Sequence, residues 1–177
     1  MKQHPILVVT GAPCVGKTSV VRELTARGND RYILLNGRLC SAFVFPGEEE
    51  TCRRDWVRLC ESLSAQIGRA VVFYLNAPPD SFACVDASVR SRMAFSALMC
   101  EEKELLMRVR RKLEDAERAR ECVDSAALAS YALQCNRSNL VSADPALERL
   151  DTTGKTITES ADLLERWILD RIAQLEA

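Results

Sequence analysis

No stretch of the chain restricts its fold as tightly as Gly11-Ala12-Pro13-Cys14-Val15-Gly16-Lys17-Thr18-Ser19. The apolar run Ile6-Leu7-Val8-Val9 precedes it, and a helical pattern carrying Val20, Val21 and Leu24 follows. Strand, G-x-x-x-x-G-K-[ST] loop and helix, in that order, make a phosphate-binding loop in its proper setting. Gly11 and Gly16 permit backbone conformations and close approaches that a β-carbon would obstruct. The loop N–H groups then turn inward, where the N-terminus of the next helix adds partial positive charge. Lys17 is long enough to reach the β- and γ-phosphates of a nucleotide, and the Thr18 hydroxyl suits Mg²⁺. A nucleoside triphosphate is the expected ligand of residues 11–19.

The rest of the composition narrows the class. At 177 residues, 47% of them hydrophobic and 28% charged, the chain suits one folded domain with a sizeable core. Its 24 basic and 25 acidic side chains give a net charge of -1, so no nucleic-acid partner is expected. The apolar runs are strand-sized, which argues against a membrane span. The first strand begins within a few residues of Met1, leaving no room for a signal peptide, and a cytoplasmic location is expected. The 8 cysteines are scattered without a C-x-x-C pair, and His4 is the one histidine. A zinc cluster is therefore not expected, and reduced thiols are. Cys14 is either a tolerated small residue or a thiol whose pKa the anion-binding loop lowers.

Read in order, the chain alternates strands and helices. Gly28 and Asn29 stop the first helix, and Arg31–Leu35 reads as a second strand ending at Asn36-Gly37-Arg38. Residues 37–55 form a substrate-side insertion with a turn at Pro46-Gly47 and the acidic run Glu48-Glu49-Glu50. Trp56, Leu59, Cys60, Leu63 and Ile67 predict a helix over residues 52–67 with that stripe buried, and Gly68 ends it. Arg69–Leu75 and Ala94–Cys100 read as buried strands, with a short helix near 80–90 between them. A charge-rich helix starts near Glu101, with Leu105, Leu106, Val109 and Leu113 on its apolar side. Asp124 caps another helix through about Cys135, packed by Leu128, Tyr131 and Leu133. Leu147–Thr152 is a fifth strand, and Thr156 with Glu159 forms a capping box. Leu164, Trp167, Ile168 and Ile172 give the last helix its buried stripe. The pattern predicts a single α/β domain over 1–177 with a five-stranded parallel sheet and ligands at the strands' carboxyl ends.

Absent motifs exclude several classes. An Asn-Lys-x-Asp base-reading motif is missing, which argues against a GTPase, and the third strand ends in Asn76 rather than the acidic residues of large ATPases. The sequence resembles the small P-loop kinases of the nucleoside/nucleotide, shikimate, gluconate and chloramphenicol phosphotransferase type, and most of all a bacterial branch of AAA-family ATPases and nucleotide kinases. The resemblance covers nearly the whole chain. Gly11 to Thr18 matches the loop of that group, Leu105-Leu106-Met107-Arg108-Val109-Arg110-Arg111 its helix leading to a lid, and Leu150-Asp151-Thr152-Thr153-Gly154 its adenine-side turn. It implies a P-loop NTPase fold, three layers α/β/α with strand order 2-3-1-4-5, and a lid at about 108–125.

The resemblance further implies ATP and Mg²⁺ as cofactors and transfer of the γ-phosphoryl group to an unidentified small-molecule acceptor. Lys17 would stabilise the transferring group, Thr18 would hold the metal, and Arg108 and Arg111 would close over the phosphates. Asp151, Thr152 and Thr153 would lie beside the base. The basic block Arg108, Arg110, Arg111 and Lys112 is alternatively a solvated face paired with Glu102, Glu104, Glu114 and Asp115. The group's Asp after the second strand is replaced by Asn36-Gly37-Arg38. Asp80, Glu101 or Asp55 would then substitute as base, or Arg38 would recognise an anionic acceptor. A degenerate kinase acting as a nucleotide-binding regulatory module and a stand-alone NTPase are the alternative readings.

Overall fold

A computed structural model describes residues 4–37, 48–118, 124–142 and 144–176. The sheet consists of β1 (Ile6–Gly11), β2 (Tyr32–Asn36), β3 (Ala70–Tyr74), β4 (Met93–Met99) and β5 (Leu147–Asp151). All pairings are parallel, in the order β2-β3-β1-β4-β5, as the resemblance implied. The helices are α1 (Lys17–Arg27), α2 (Glu49–Ile67), the single turn α3 (Ala87–Arg90), α4 (Glu102–Arg118), α5 (Ser125–Val141) and α6 (Ile157–Glu176). A 3₁₀ turn at Pro79–Phe82 precedes α3, so the short helix expected near 80–90 is two separate turns.

Both faces of β1 are buried, and its residues alternate between two apolar layers. Leu7 and Val9 pack with Val20, Leu24, Leu105, Leu164 and Ile168 of α1, α4 and α6. Ile6 and Val8 pack with Val57, Phe73, Phe82 and Phe95, under α2 and the 3₁₀ turn. The α6 stripe Leu164, Trp167, Ile168 and Ile172 is buried as predicted. Its capping box is formed: Thr156 N donates to Glu159 Oε2 at 2.8 Å, and Glu159 N donates to Thr156 Oγ1 at 3.2 Å. Asp124 caps α5 by accepting from Ala127 N at 3.0 Å.

Three helix faces differ from the sequence reading. In α2 the buried side is Val57, Cys60 and Ser64, while Leu59 and Ile67 are 48% and 47% exposed. Ser64 belongs inside because its Oγ donates to Arg69 O at 2.7 Å, closing the link to β3. Trp56 is half-buried and meets Phe73 edge-to-face at 6.2 Å. Leu106 of α4 faces outward, with Leu105 and Val109 alone of the predicted side fully buried. The third, α5, runs on to Val141, and Tyr131 is exposed while Asn136 and Asn139 are buried. Residues 38–47 and 119–123, parts of the expected insertion and lid, lie outside the described residues; the insertion's end, from Glu49, is already helix.

Candidate functional site

The loop between β1 and α1 sits at the carboxyl edge of the sheet, where Gly11 pairs with Leu98 of β4. Gly11 has φ 140°, and a β-carbon there would lie 2.5 Å from Leu98 O. Backbone of β4 cannot yield to it, so this position requires glycine. Gly16, the residue before α1, needs glycine for conformation instead: its φ is 109°, with nothing closer to a β-carbon than Arg108 Nη1 at 3.8 Å. Ala12 and Val15 are buried in the core and anchor the loop, leaving Pro13 and Cys14 half-buried at its tip and Ser19 exposed. Cys14 itself has φ 65°.

Lys17, only 9% exposed, lies inside this loop. Its Nζ donates to Gly11 O at 2.6 Å and Ala12 O at 2.8 Å. A buried ammonium needs such partners, and they hold it inside the curve of the loop. Thr18 follows in the first turn of α1, half-buried. A Mg²⁺ carried by phosphates takes most of its oxygens from phosphate and water, so the single Thr18 hydroxyl fits the part this loop would supply. Burial raises the Cys14 thiol pKa, and the opposing pull of Lys112 and Lys17 does not overcome it. That direction runs against the reading of Cys14 as a thiol whose pKa the loop lowers. Cys100, at the end of β4, is pushed up to about 11 by burial. Cys14, Cys84, Cys100 and Cys135 carry free thiols.

Arg108 reaches from α4 to the phosphate-binding loop itself. Its Nη1 donates to Val15 O at 2.5 Å and to Thr152 Oγ1 at 3.1 Å. Nη2 donates to Thr152 O at 2.9 Å and to Glu104 Oε1. Glu104 Oε2 in turn accepts from Gly154 N at 2.7 Å. One Arg–Glu pair thus ties the phosphate-binding loop to the β5–α6 turn. The Gly154 N–H and the Arg108 guanidinium hold the Glu104 carboxyl below its ordinary pKa.

The turn itself is tightly bonded. Thr152 is buried, and its N and Oγ1 both donate to Met99 O, at 2.7 and 2.8 Å. Thr153 N and Oγ1 donate to Asp151 Oδ1 at 2.9 and 2.6 Å, lowering the Asp151 pKa. Glu101 N donates to Thr153 Oγ1 at 2.9 Å. Of the three turn residues expected beside a base, Thr152 is consumed by these internal bonds.

Arg110, Arg111 and Lys112 are exposed further along α4. The carboxylates expected to pair with them are otherwise engaged: Glu102 with Arg137 of α5, and Asp115 with Arg118. Lys112 is near enough to Cys14 to bias its thiol, so this part of α4 flanks the loop.

On the other side of Gly11 lies a cleft of about 150 Å³. The sheet edge supplies Thr10, Gly11, Asn76 and Pro78. The opposite wall is a stripe of α5, with Tyr131, Gln134, Cys135 and Ser138 at helical spacing and Asn139 beside them. Asn136 seats that helix, donating from Nδ2 to Cys100 O at 2.8 Å. Among the described residues, none of the carboxylates considered as bases lines the cleft. Asp80 and Glu101 are exposed, and Asp55 pairs with Arg58 on the outer face of α2. The α5 wall escaped the sequence reading because its signal, a polar stripe on a helix read as packed by leucines, looks like solvent exposure.

The sequence matches no protein-family model and no curated protein. Solved structures match along the full length. A gluconokinase from Sinorhizobium meliloti superposes with TM-score 0.57 at 16% identity, covering 99% of this chain and 97% of that one. A sugar kinase from Janibacter sp. gives 0.55 at 16% identity and 98% coverage of both chains. A tRNA isopentenylpyrophosphate transferase from Bacillus halodurans gives 0.63 at 11% identity, again over 98% of each. These likenesses agree with the strand order and with the strand–loop–helix at residues 6–27. The chain has the fold of the small P-loop kinases.

Proposed function

We infer that the protein is an ATP- and Mg²⁺-dependent phosphotransferase acting on a small-molecule acceptor. The observation that carries this reading is the cleft that opens at Gly11, directly beside the Lys17 loop. A phosphate site with an adjoining pocket is what in-line transfer requires, because catalysis there is mostly positioning and charge stabilisation. The names of two structural neighbours, a gluconokinase and a sugar kinase, point the same way.

In this reading residues 11–19 cradle the phosphates, and Lys17 turns its ammonium from the loop carbonyls to the transferring group. Mg²⁺ would be met by Thr18 and would neutralise charge on the phosphates. Arg111, with Lys112, approaches the phosphates from α4. Arg108 acts behind the loop by holding Val15 and Thr152 in register, and Asp151 and Thr153 border the base. The acceptor's hydroxyl oxygen bonds to the γ-phosphorus as the bond to the bridging oxygen breaks. The electron pair leaves with ADP, and the hydroxyl proton passes to water.

The test is ADP release from ATP and Mg²⁺ across a panel of acceptors. Release that depends on an acceptor, and is lost in Lys17→Ala, is the expected result. One observation favours a second reading, a nucleotide-binding regulatory module: β2 ends in Asn36 and the cleft has no carboxylate among the described residues. ATP binding without turnover on any acceptor would establish that reading instead.

A further inference from the structure

The cleft at Gly11 is chemically distinctive: the described residues that line it include neither a carboxylate nor a guanidinium or ammonium group. Its hydrogen-bonding side chains include the amides of Asn76, Gln134 and Asn139 and the hydroxyl of Ser138. An amide offers donors and an acceptor side by side, and a hydroxyl offers both on one atom. These groups match partners that also give and take, namely hydroxyls. An acceptor carrying phosphate or carboxylate would need Arg or Lys in the wall to offset the loss of its hydration. Size narrows the class again. Sites for drug-sized ligands run to roughly 300–1,000 Å³, whereas this cleft holds about 150 Å³. That suits a small organic solute better than a drug-sized one. Pro78 and the Tyr131 ring add apolar wall, suited to the C–H faces of a polyol.

Building on the phosphotransferase reading above, we propose that the cleft takes a small, uncharged, polyhydroxylated acceptor, oriented by Gln134, Ser138 and Asn139 of α5 with one hydroxyl presented at Gly11. The transfer step is the one already written: the O–P bond forms, the bridging P–O bond breaks toward ADP, and the proton leaves to water. A loose transition state asks little of a base, which accords with a wall of neutral groups.

The experiment measures ADP release from ATP·Mg²⁺ with free pentoses, hexoses and their alditols. The same compounds bearing a phosphate or a carboxylate, and nucleoside monophosphates, form the opposing panel. Turnover with members of the uncharged set is expected. Gln134→Leu and Ser138→Ala should each raise the KM for that acceptor about tenfold, with KM for ATP and the ATP-induced rise in melting temperature as in the wild type. The two positions are exposed on α5, so neither change threatens folding. Turnover restricted to the charged set, or an acceptor KM unmoved by both variants, would overturn the proposal while leaving a phosphotransferase. No acceptor-dependent ADP release from either set would overturn the phosphotransferase reading itself, and this proposal with it.

Discussion

Removing the Arg108 guanidinium strips donors from Val15 O, from both Thr152 oxygens and from the Glu104 carboxylate at once. Hydrogen bonds to a charged partner contribute about 1.5–3 kcal/mol each when isolated, but they share one side chain here. Arg108→Ala is therefore expected to cost on the order of 2 kcal/mol of stability, read by denaturant unfolding, and to weaken ATP binding because the loop loses its backing. Arg108→Lys should recover only part of this, since one compact ammonium with three donors cannot reach four acceptors arranged around a guanidinium fork. Arg111→Ala should behave oppositely: an unchanged melting temperature with slower turnover. Equal stability losses in Arg108→Ala and Arg111→Ala would contradict the division of labour. Glu104 adds a pH signature. Its folded pKa is depressed by Gly154 N–H and Arg108, so its contribution is complete above the ordinary value of 4.5 and is lost as pH falls through the lowered folded value. The stability gap between wild type and Glu104→Gln should accordingly be constant above pH 4.5 and shrink in more acid solution.

Among the elements, α5 walls the cleft proposed for the acceptor, and a buried amide seats it. Asn136 is fully buried, its Nδ2 donates to Cys100 O, and its Oδ1 has no partner among the described residues. Asn136→Ala leaves the Cys100 carbonyl unsatisfied and a gap between α5 and the end of β4. The expected loss is on the order of 2 kcal/mol, or roughly 4–8 °C in melting temperature for a domain of this size. The acceptor KM should rise with it, since the helix wall shifts relative to Gly11. A variant as stable as the wild type would mean that α5 is held by its leucines. This helix also marks where sequence reading stops. The strands were legible because continuous apolar runs such as Val71-Val72-Phe73 have one stable place in a doubly covered parallel sheet. The loop was legible because its chemistry is contiguous. In α2 and α5 the buried faces include Ser64, Asn136 and Asn139, polar residues that enter a core only where a particular carbonyl or cleft receives them. The partners of Arg108 were illegible for the same reason: Val15 O lies 93 residues away in sequence, and a backbone carbonyl leaves no mark in it.

At the scale of the whole molecule, the loop is continuous with both layers of the core. Leu7 and Val9 of β1 belong to one layer, Ile6 and Val8 to the other, and the strand ends at Gly11. A ligand held by residues 11–18 therefore binds the folded chain and has no counterpart site in the unfolded one. Linkage then fixes the size of its effect: ATP at a hundredfold excess over its Kd stabilises by about 2.7 kcal/mol, or roughly 5–11 °C. The shift should grow with the logarithm of nucleotide concentration and vanish in Lys17→Ala over the same range. It should need no acceptor, because the cleft wall on α5 and the phosphate loop are separate segments that both border Gly11. An acceptor should add its own, separate stabilisation, and ADP release should begin only when both are present. Hydrolysis at full rate with ATP alone would make the cleft a water site and the chain an NTPase. A thermal shift that survives Lys17→Ala undiminished would remove the phosphate loop from nucleotide binding altogether.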